Sequence, residues 1–346
     1  MNMRETQTFA PFSGVPLPVG DVAGEKLRMG KRLFLSLLCL LCLPLCLAAE
    51  EWGIVNVSVT NTRERPAYSS GQESQALLGM PVRVTDRVNE WLQVETPDAY
   101  VAWTLGSTVK RVSREELTAW NTAPQVVVTA LYAQVYSQRS TKSAAVSDVV
   151  GGDRLRLVGR RGKYFHVAFP DGREGFLHRS ACQPIDEWRN RLKADAQSIL
   201  RTARSLTGVP YMWGGTSPKG VDCSGFVRAT LYLHDIIIPR NASQQARTGE
   251  RLEIAPDFSN LVPGDLLFFG SRGDEIRPER VVHVAFYVGD GRFIHSSGFV
   301  REASLRPGDP DYDDYNRGRL LFAARVLPYI NRQEGLFTTH RHPFYQ

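Results

Sequence analysis

Two cysteines follow residue 49, Cys182 and Cys223, and only Cys223 stands in a setting that suggests chemistry. In Val221-Asp222-Cys223-Ser224-Gly225-Phe226 a loop passes into residues (Phe226, Val227, Thr230, Leu231) spaced like one face of a helix. A cysteine is nucleophilic only as its anion, and the unpaired N–H groups and dipole at a helix start favour that anion. A buried filler cysteine fits the same place, so a base has to be found. Val281-Val282-His283-Val284-Ala285-Phe286-Tyr287-Val288 reads as an apolar strand with one histidine. Gly289-Asp290-Gly291 reads as a turn, and Phe293-Ile294-His295 as the return strand. Side chains alternate along a strand, so His283 shares its face with Ala285 and Tyr287. His295 joins that face only if it lies opposite Ala285, which requires a three-residue loop or an equivalent bulge. A regular two-residue Asp290-Gly291 loop sets it opposite Phe286, on the wrong face.

A thiol with two imidazoles is a set for covalent catalysis. One ring takes the thiol proton and returns it to the leaving group, and the second holds the first in orientation. The two cysteines also admit a second reading, a Cys182–Cys223 disulfide. Cys182, His166, His178, His234, His340 and His342 have no metal-ligand spacing, so neither a metal nor a cofactor is expected.

Several elements must position these groups. Leu192, Ala196, Ile199, Leu200 and Ala203 repeat at 3-and-4 spacing and predict a helix from Glu187 to about Leu206, ended by Gly208 and Pro210. From Trp52 to Gln183 the pattern is short alternating runs broken by Gly, Pro and Asp, the signature of small β-structures. Ser113 with Glu116 predicts one capped short helix among them. An internal repeat runs through this region: Gly79, Val82, Val84, Trp91, Val94, Pro97, Asp98 and Trp103 match Gly152, Leu155, Leu157, Tyr164, Val167, Pro170, Asp171 and Phe176, without a gap. The expected fold is α+β, with the organisation 1–49 leader, 50–122 and 123–185 two small β-barrels, 186–332 catalytic part, and 333–346 tail.

Lys31 and Arg32 precede an apolar run from Leu33 to Leu47 and small residues at Ala48 and Ala49. This is the layout of a secretory signal peptide, and the run is too short to span a bilayer comfortably. Export to the periplasm or the extracellular space is expected. A lipoprotein cut before Cys46 is disfavoured by the bulky Leu45. The residues before Met29 read either as a long n-region or as upstream of a true start at Met29. Three of the five cysteines (Cys39, Cys42, Cys46) fall in the leader, so no disulfide framework is left. Residues 1–49 carry five basic and three acidic groups, and without them the net charge falls from +6 to +4. That is a mild bias with no basic-aromatic run, and nucleic acid is not an expected partner.

The repeated units, on the stretch from Gly79 to Trp103 and its tail Pro97-Asp98-Ala99-Tyr100-Val101-Ala102-Trp103, resemble bacterial SH3 (SH3b) domains. Pro210-Tyr211 and Trp213-Gly214-Gly215, Asp222-Cys223-Ser224-Gly225-Phe226, Pro263-Gly264-Asp265-Leu266, His283-Val284-Ala285 and Phe293-Ile294-His295 resemble the NlpC/P60 family of wall peptidases. The resemblance covers about residues 199–326. It implies a papain-like catalytic domain with Cys223 as nucleophile, His283 as base and His295 as orienting group.

The whole arrangement resembles the γ-D-glutamyl-L-diamino acid endopeptidases. That resemblance implies cleavage of murein peptides with a free N-terminal L-Ala, with the cell wall itself as a further partner. Tyr211, Asp222 and Ser224 then surround the nucleophile, and Glu73 and Tyr100 from the first barrel close one end of the cleft against a free amine. The second unit has Arg173 where the first has Tyr100, as a ligand-facing residue would allow. Ala99 and Ala102 depart from the glycines usual at their positions, and Ser271–Arg280 is a charged insertion ahead of His283. Two rival readings are a wall-binding module with an inactive last domain and an acyltransferase on the same Cys-His scaffold.

Overall fold

The computed structural model describes residues 50–346. The leader, with Met29, Cys39, Cys42 and Cys46, lies outside the described residues. Strands β1 (Glu51–Val55), β2 (Val59–Arg63), β3 (Gln72–Leu77), β4 (Pro81–Val88), β5 (Trp91–Glu95), β6 (Val101–Leu105) and β7 (Val109–Val112) form one sheet, in the order β3-β2-β6-β5-β4-β1-β7. Strands β8 (Gln125–Val128), β9 (Tyr132–Tyr136), β10 (Ala145–Val150), β11 (Arg154–Arg161), β12 (Tyr164–Ala168), β13 (Glu174–His178) and β14 (Cys182–Pro184) form a second, in the order β10-β9-β13-β12-β11-β8-β14. Strand for strand the two orders coincide.

The repeat extends to irregularities. The ladder slips between Val84 and Asp86 in the first unit and between Leu157 and Gly159, at the matching positions, in the second. Each sheet curls around its own apolar core, with Val82, Val84, Leu92 and Val94 in one and Leu155, Phe165, Val167 and Leu177 in the other. The turn after β5 needs a left-handed residue. The second unit supplies Gly172 (φ 92°), whereas the first uses Ala99 (φ 58°), a conformation a Cβ disfavours.

Helix Arg114–Thr122 begins at Ser113, whose hydroxyl accepts from the Glu116 N–H while Glu116 answers to the Ser113 N–H. The single helix expected from Glu187 to Leu206 is two, Ile185–Arg191 and Ala196–Ser205. Leu192 turns to extended backbone, and Asp195 caps a fresh start by accepting from the Ser198 N–H at 2.7 Å. The apolar period stays in phase across the break, which hid it from the pattern.

The catalytic part is built on an antiparallel sheet of β18 (Glu250–Leu252), β19 (Leu266–Ser271), β20 (Arg280–Gly289), β21 (Arg292–Ser297), β22 (Phe299–Ser304) and β23 (Leu320–Arg325), in the order β18-β23-β19-β20-β21-β22. Two short pairs accompany it: β15 (Thr216–Ser217) with β16 (Gly220–Val221), and β17 (Ile236–Ile237) with β24 (Phe337–Thr338). Helix Cys223–Tyr232 packs on the sheet, with Phe226 edge-on to Phe286 at 5.9 Å. Beyond β24 the chain reaches back to the first barrel, where Phe344 meets Trp52 edge-on at 4.9 Å. Among the described residues no helix is long and apolar enough to cross a membrane.

The first barrel is fastened beside the Cys223 helix. Asp98, in its left-handed turn, forms a buried ion pair with Arg228 of that helix (2.9 Å). Gln75 on β3 accepts the Thr216 N–H through its side chain (2.9 Å), and its backbone carbonyl accepts from Thr216 Oγ1 and Arg228 Nη1.

Candidate active site

Cys223 is the first residue of its helix. The Asp222 carboxylate caps that helix by accepting from the Gly225 N–H at 2.7 Å. A Cβ on Gly225 would stand 1.8 Å from the Gly215 carbonyl oxygen, so the loop can press against the helix start only over a glycine. Cys182 and Cys223 are both free, which removes the disulfide reading; Cys182 is buried in the second barrel.

The β20–β21 hairpin solves its register problem with a bulge. A two-residue Asp290-Gly291 turn (φ 52° and 71°) is closed by Gly289 opposite Arg292. The ladder then slips, so that Tyr287 faces Phe293 and Phe286 faces Ile294. Continued one step, this register sets His295 opposite Ala285, on the same face as His283. The rings meet edge-on at 5.1 Å, and His283 Nε2 lies 2.9 Å from His295 Nδ1. A second slip, between β19 and β20, lets Phe269 face His283 and Gly270 face Val281. Bulges of this kind re-aim side chains beside a site.

The His283–His295 contact leaves Nδ1 as the His283 nitrogen available to sulfur. If that nitrogen is to accept a proton, Nε2 carries one and donates to His295 Nδ1, so the His295 proton sits on Nε2. The Cys223 thiol is held by backbone, near the N–H of Ser224 and of Val284, the residue after His283.

Helix-start geometry led to the expectation of a stabilised thiolate. Against that pull, burial and then the Asp222 carboxylate push the Cys223 thiol up to about 11. Burial also holds His283 well below the usual histidine range and brings His295 down to about 4. Both shifts favour the neutral pair, with the proton on sulfur. Passing it to His283 charges both groups together and regains their mutual attraction.

Glu73, Tyr211, Trp213, Asp222, Cys223, Ser224 and Arg240 lie along one cleft of about 540 Å³, with Glu279–Val282 on another wall. Glu73 comes from β3 of the first barrel. Tyr100, from the turn before β6, donates to its carboxylate at 2.5 Å. Burial, then that carboxylate, raise Tyr100 to about 12. Burial, with Cys223 and Asp222 close by, does the same to Tyr211. The structure thus brings four of the five expected binding residues, Glu73, Tyr211, Asp222 and Ser224, to the cleft that holds Cys223, with Tyr100 one hydrogen bond behind Glu73.

It adds one that sequence reasoning missed. Arg240 is 2% exposed. It donates through Nη1 to Asp222 Oδ1 (3.1 Å) and Ser224 Oγ (2.9 Å), through Nη2 to Asp222 Oδ2, and through Nε to the Glu73 carbonyl (3.1 Å). One side chain therefore ties the Asp222 carboxylate to the barrel strand that carries Glu73. Asp222 is an ion-pair partner and a helix cap at once. Among the described residues no group of three His, Cys, Asp or Glu side chains is placed to hold a metal.

A free thiol at a helix start beside a His–His pair on a bulged hairpin defines a cysteine peptidase site. The sequence profile of the NlpC/P60 family matches residues 208–312, and that of the bacterial dipeptidyl-peptidase SH3 domain matches 62–107. A γ-D-glutamyl-L-lysine dipeptidyl-peptidase of Bacillus cereus is 32% identical over 74% of this chain and 75% of its own length. A Bacillus subtilis enzyme of the same name is 30% identical over 65% and 72%. The crystal structure of an NlpC/P60 family protein from Bacillus cereus, 26% identical, overlays 80% of this chain and all of its own with a TM-score of 0.66. The chain belongs to the NlpC/P60 family, as a cysteine peptidase whose catalytic domain follows SH3-like β-sheets.

Proposed function

We propose that this protein is an exported peptidase that hydrolyses the γ-D-glutamyl–diamino acid bond of murein peptides with a free N-terminal L-Ala. The observation that carries the reading is the barrel-borne Glu73–Tyr100 pair standing at the cleft that holds Cys223. A carboxylate at a blocked end favours an ammonium and leaves no room for a longer chain. The names of the Bacillus relatives, which refer to γ-D-glutamyl-L-lysine, support the same bond type. The leader pattern supports export, and the boundaries 1–49, 50–122, 123–185, 186–332 and 333–346 are proposed as the functional divisions.

On this reading His283 takes the Cys223 proton as sulfur attacks the γ-carbonyl, and His295 steadies the imidazolium through its Nδ1 acceptor. The N–H groups at the helix start receive the developing oxyanion. His283 protonates the leaving amine, and water then hydrolyses the thioester.

Cys223→Ala should abolish cleavage of L-Ala-γ-D-Glu-diaminopimelate with the fold intact; turnover by that variant refutes the proposal. Glu73→Ala should lose activity on the free-amine peptide and not on its N-acetyl form, as followed by chromatography. Equal loss on both defeats the blocked-end reading.

A further inference from the structure

The charges lining the cleft divide into matched and unmatched. Asp222 is met by Arg240, and Glu279 accepts from Arg251 Nη1 and Nη2 at 2.9 and 3.0 Å. Two are left. Among the described residues Glu73 has no cation, and Arg280 no carboxylate, within ion-pair distance. The proposed substrate supplies an ammonium for Glu73. Arg280 still lacks an anion.

Arg280 is the first residue of β20, three before His283. Ser271 of β19 stands opposite it, and a Cβ on Gly270 would meet the Arg280 carbonyl oxygen at 1.9 Å, so the two backbones close tightly there. Val282 is the extra residue of the slip that sets Phe269 opposite His283. Val281 packs against the core that holds Phe226 and Val284. Side chains alternate, so Val282 and Arg280, on either side of Val281, turn away from that core, and both line the cleft. Val282 is 44% exposed. An open apolar side chain and then an unmatched guanidinium thus lead away from the ring that acts as base.

The order along β20 decides which part of a substrate passes them. On the proposed mechanism His283 hands its proton to the leaving amine, so the departing residue begins at His283. The α-carboxylate of D-Glu belongs to the other, acyl side of the bond. Arg280 lies about 10 Å further along the strand. A group beside the scissile nitrogen falls short of it, whereas the far end of a long side chain reaches towards it. We infer that Arg280 is a specificity residue that binds a carboxylate at the side-chain end of the departing diamino acid, whose methylene stem lies over Val282. This rests on the γ-D-glutamyl–diamino acid reading and narrows it. Diaminopimelate carries such a carboxylate, which a guanidinium receives as a two-pronged, charge-assisted contact. Lysine brings only an ammonium to the same place, and Arg280 repels it.

The test measures kcat/KM of the parent chain and its variants on three peptides, L-Ala-γ-D-Glu followed by diaminopimelate, by its side-chain amide, or by lysine. The parent should favour diaminopimelate about tenfold over each of the others, as one hydrogen-bonded charge pair that water still reaches would give. R280M should lose that margin by falling on the diaminopimelate peptide alone. R280K keeps the charge without the fork and should restore part of the margin. R280E should reverse the ranking and cleave the lysine peptide fastest. Equal turnover of the three peptides by the parent overturns the inference. So does an equal fall of R280M on all three, the result expected if Arg280 read the D-Glu carboxylate they share or only shaped the wall. Either result leaves the γ-D-glutamyl reading standing, whereas a folded parent that cleaves none of the three overturns both.

Discussion

Replacing Arg240 by Met tests whether the buried ion pair under the cleft is what holds barrel and catalytic domain in register. Arg240 and Asp222 are 2% and 6% exposed, so neither charge is relieved by water once its partner goes. Removing one member of such a pair costs about 3–5 kcal/mol, chiefly because the other remains buried and uncompensated. Asp222 keeps the Gly214 and Gly225 N–H groups and the Ser224 hydroxyl, at 3.0, 2.7 and 3.2 Å. The lower end, about 3 kcal/mol, is therefore expected for R240M. D222N retains the helix cap and strands the guanidinium instead, for a similar loss. The double variant R240M/D222N buries no lone charge and should lose less than either single, well below their sum. The assay is urea unfolding read by tryptophan fluorescence and far-ultraviolet circular dichroism, with midpoints compared at constant slope. A loss below about 1 kcal/mol for R240M, or strict additivity in the double, refutes the argument.

Three further outcomes follow from the same geometry. His295 stays neutral in the fold down to about 4, whereas the unfolded chain takes a proton near 6.5. Stability should be complete above pH 6.5 and fall by about 3 kcal/mol towards pH 4, with a shallower slope in H295N; identical slopes would contradict the burial argument. Cys223, held up to about 11, should be alkylated by iodoacetamide at a rate that climbs through the alkaline range, while Cys182, pushed up to about 12 inside the second barrel, stays unmodified in the folded protein. A rate plateau below pH 7 would mean a preformed thiolate instead. Ala99→Gly relieves a left-handed alanine and should raise stability by up to about 1 kcal/mol, measured as a higher unfolding midpoint, whereas destabilisation would show that the turn is not strained.

The catalytic set was readable because its signals are local: a polar Asp-Cys-Ser-Gly entry to an apolar helix, and single histidines in otherwise apolar strands. Alternation alone was enough to demand a three-residue loop or an equivalent bulge, and β20–β21 has the bulge. The repeat was readable because barrel strands keep residue kind and spacing together. Arg240 was not, because Ile238-Pro239-Arg240-Asn241 reads as an ordinary exit from a short strand, and its burial depends on Asp222 across the fold. Arg228 did carry a signal, a charge within the apolar run Phe226–Leu231, since a buried charge demands a partner. That partner, Asp98, lies in the first barrel and no spacing points to it. The upward push on the Cys223 thiol was not legible for a related reason: a helix start is visible in sequence, but the desolvation that opposes it is not.

Strand β3 is the outermost member of its sheet, and such a border usually invites another chain to add itself. Here the Glu73 and Gln75 carbonyls that face outward are occupied by two arginines of the peptidase domain. Cutting the protein between its barrels and that domain would therefore unmask a sticky margin, and the freed N-terminal half should self-associate through it. The contacts that shape the cleft also keep the molecule from polymerising.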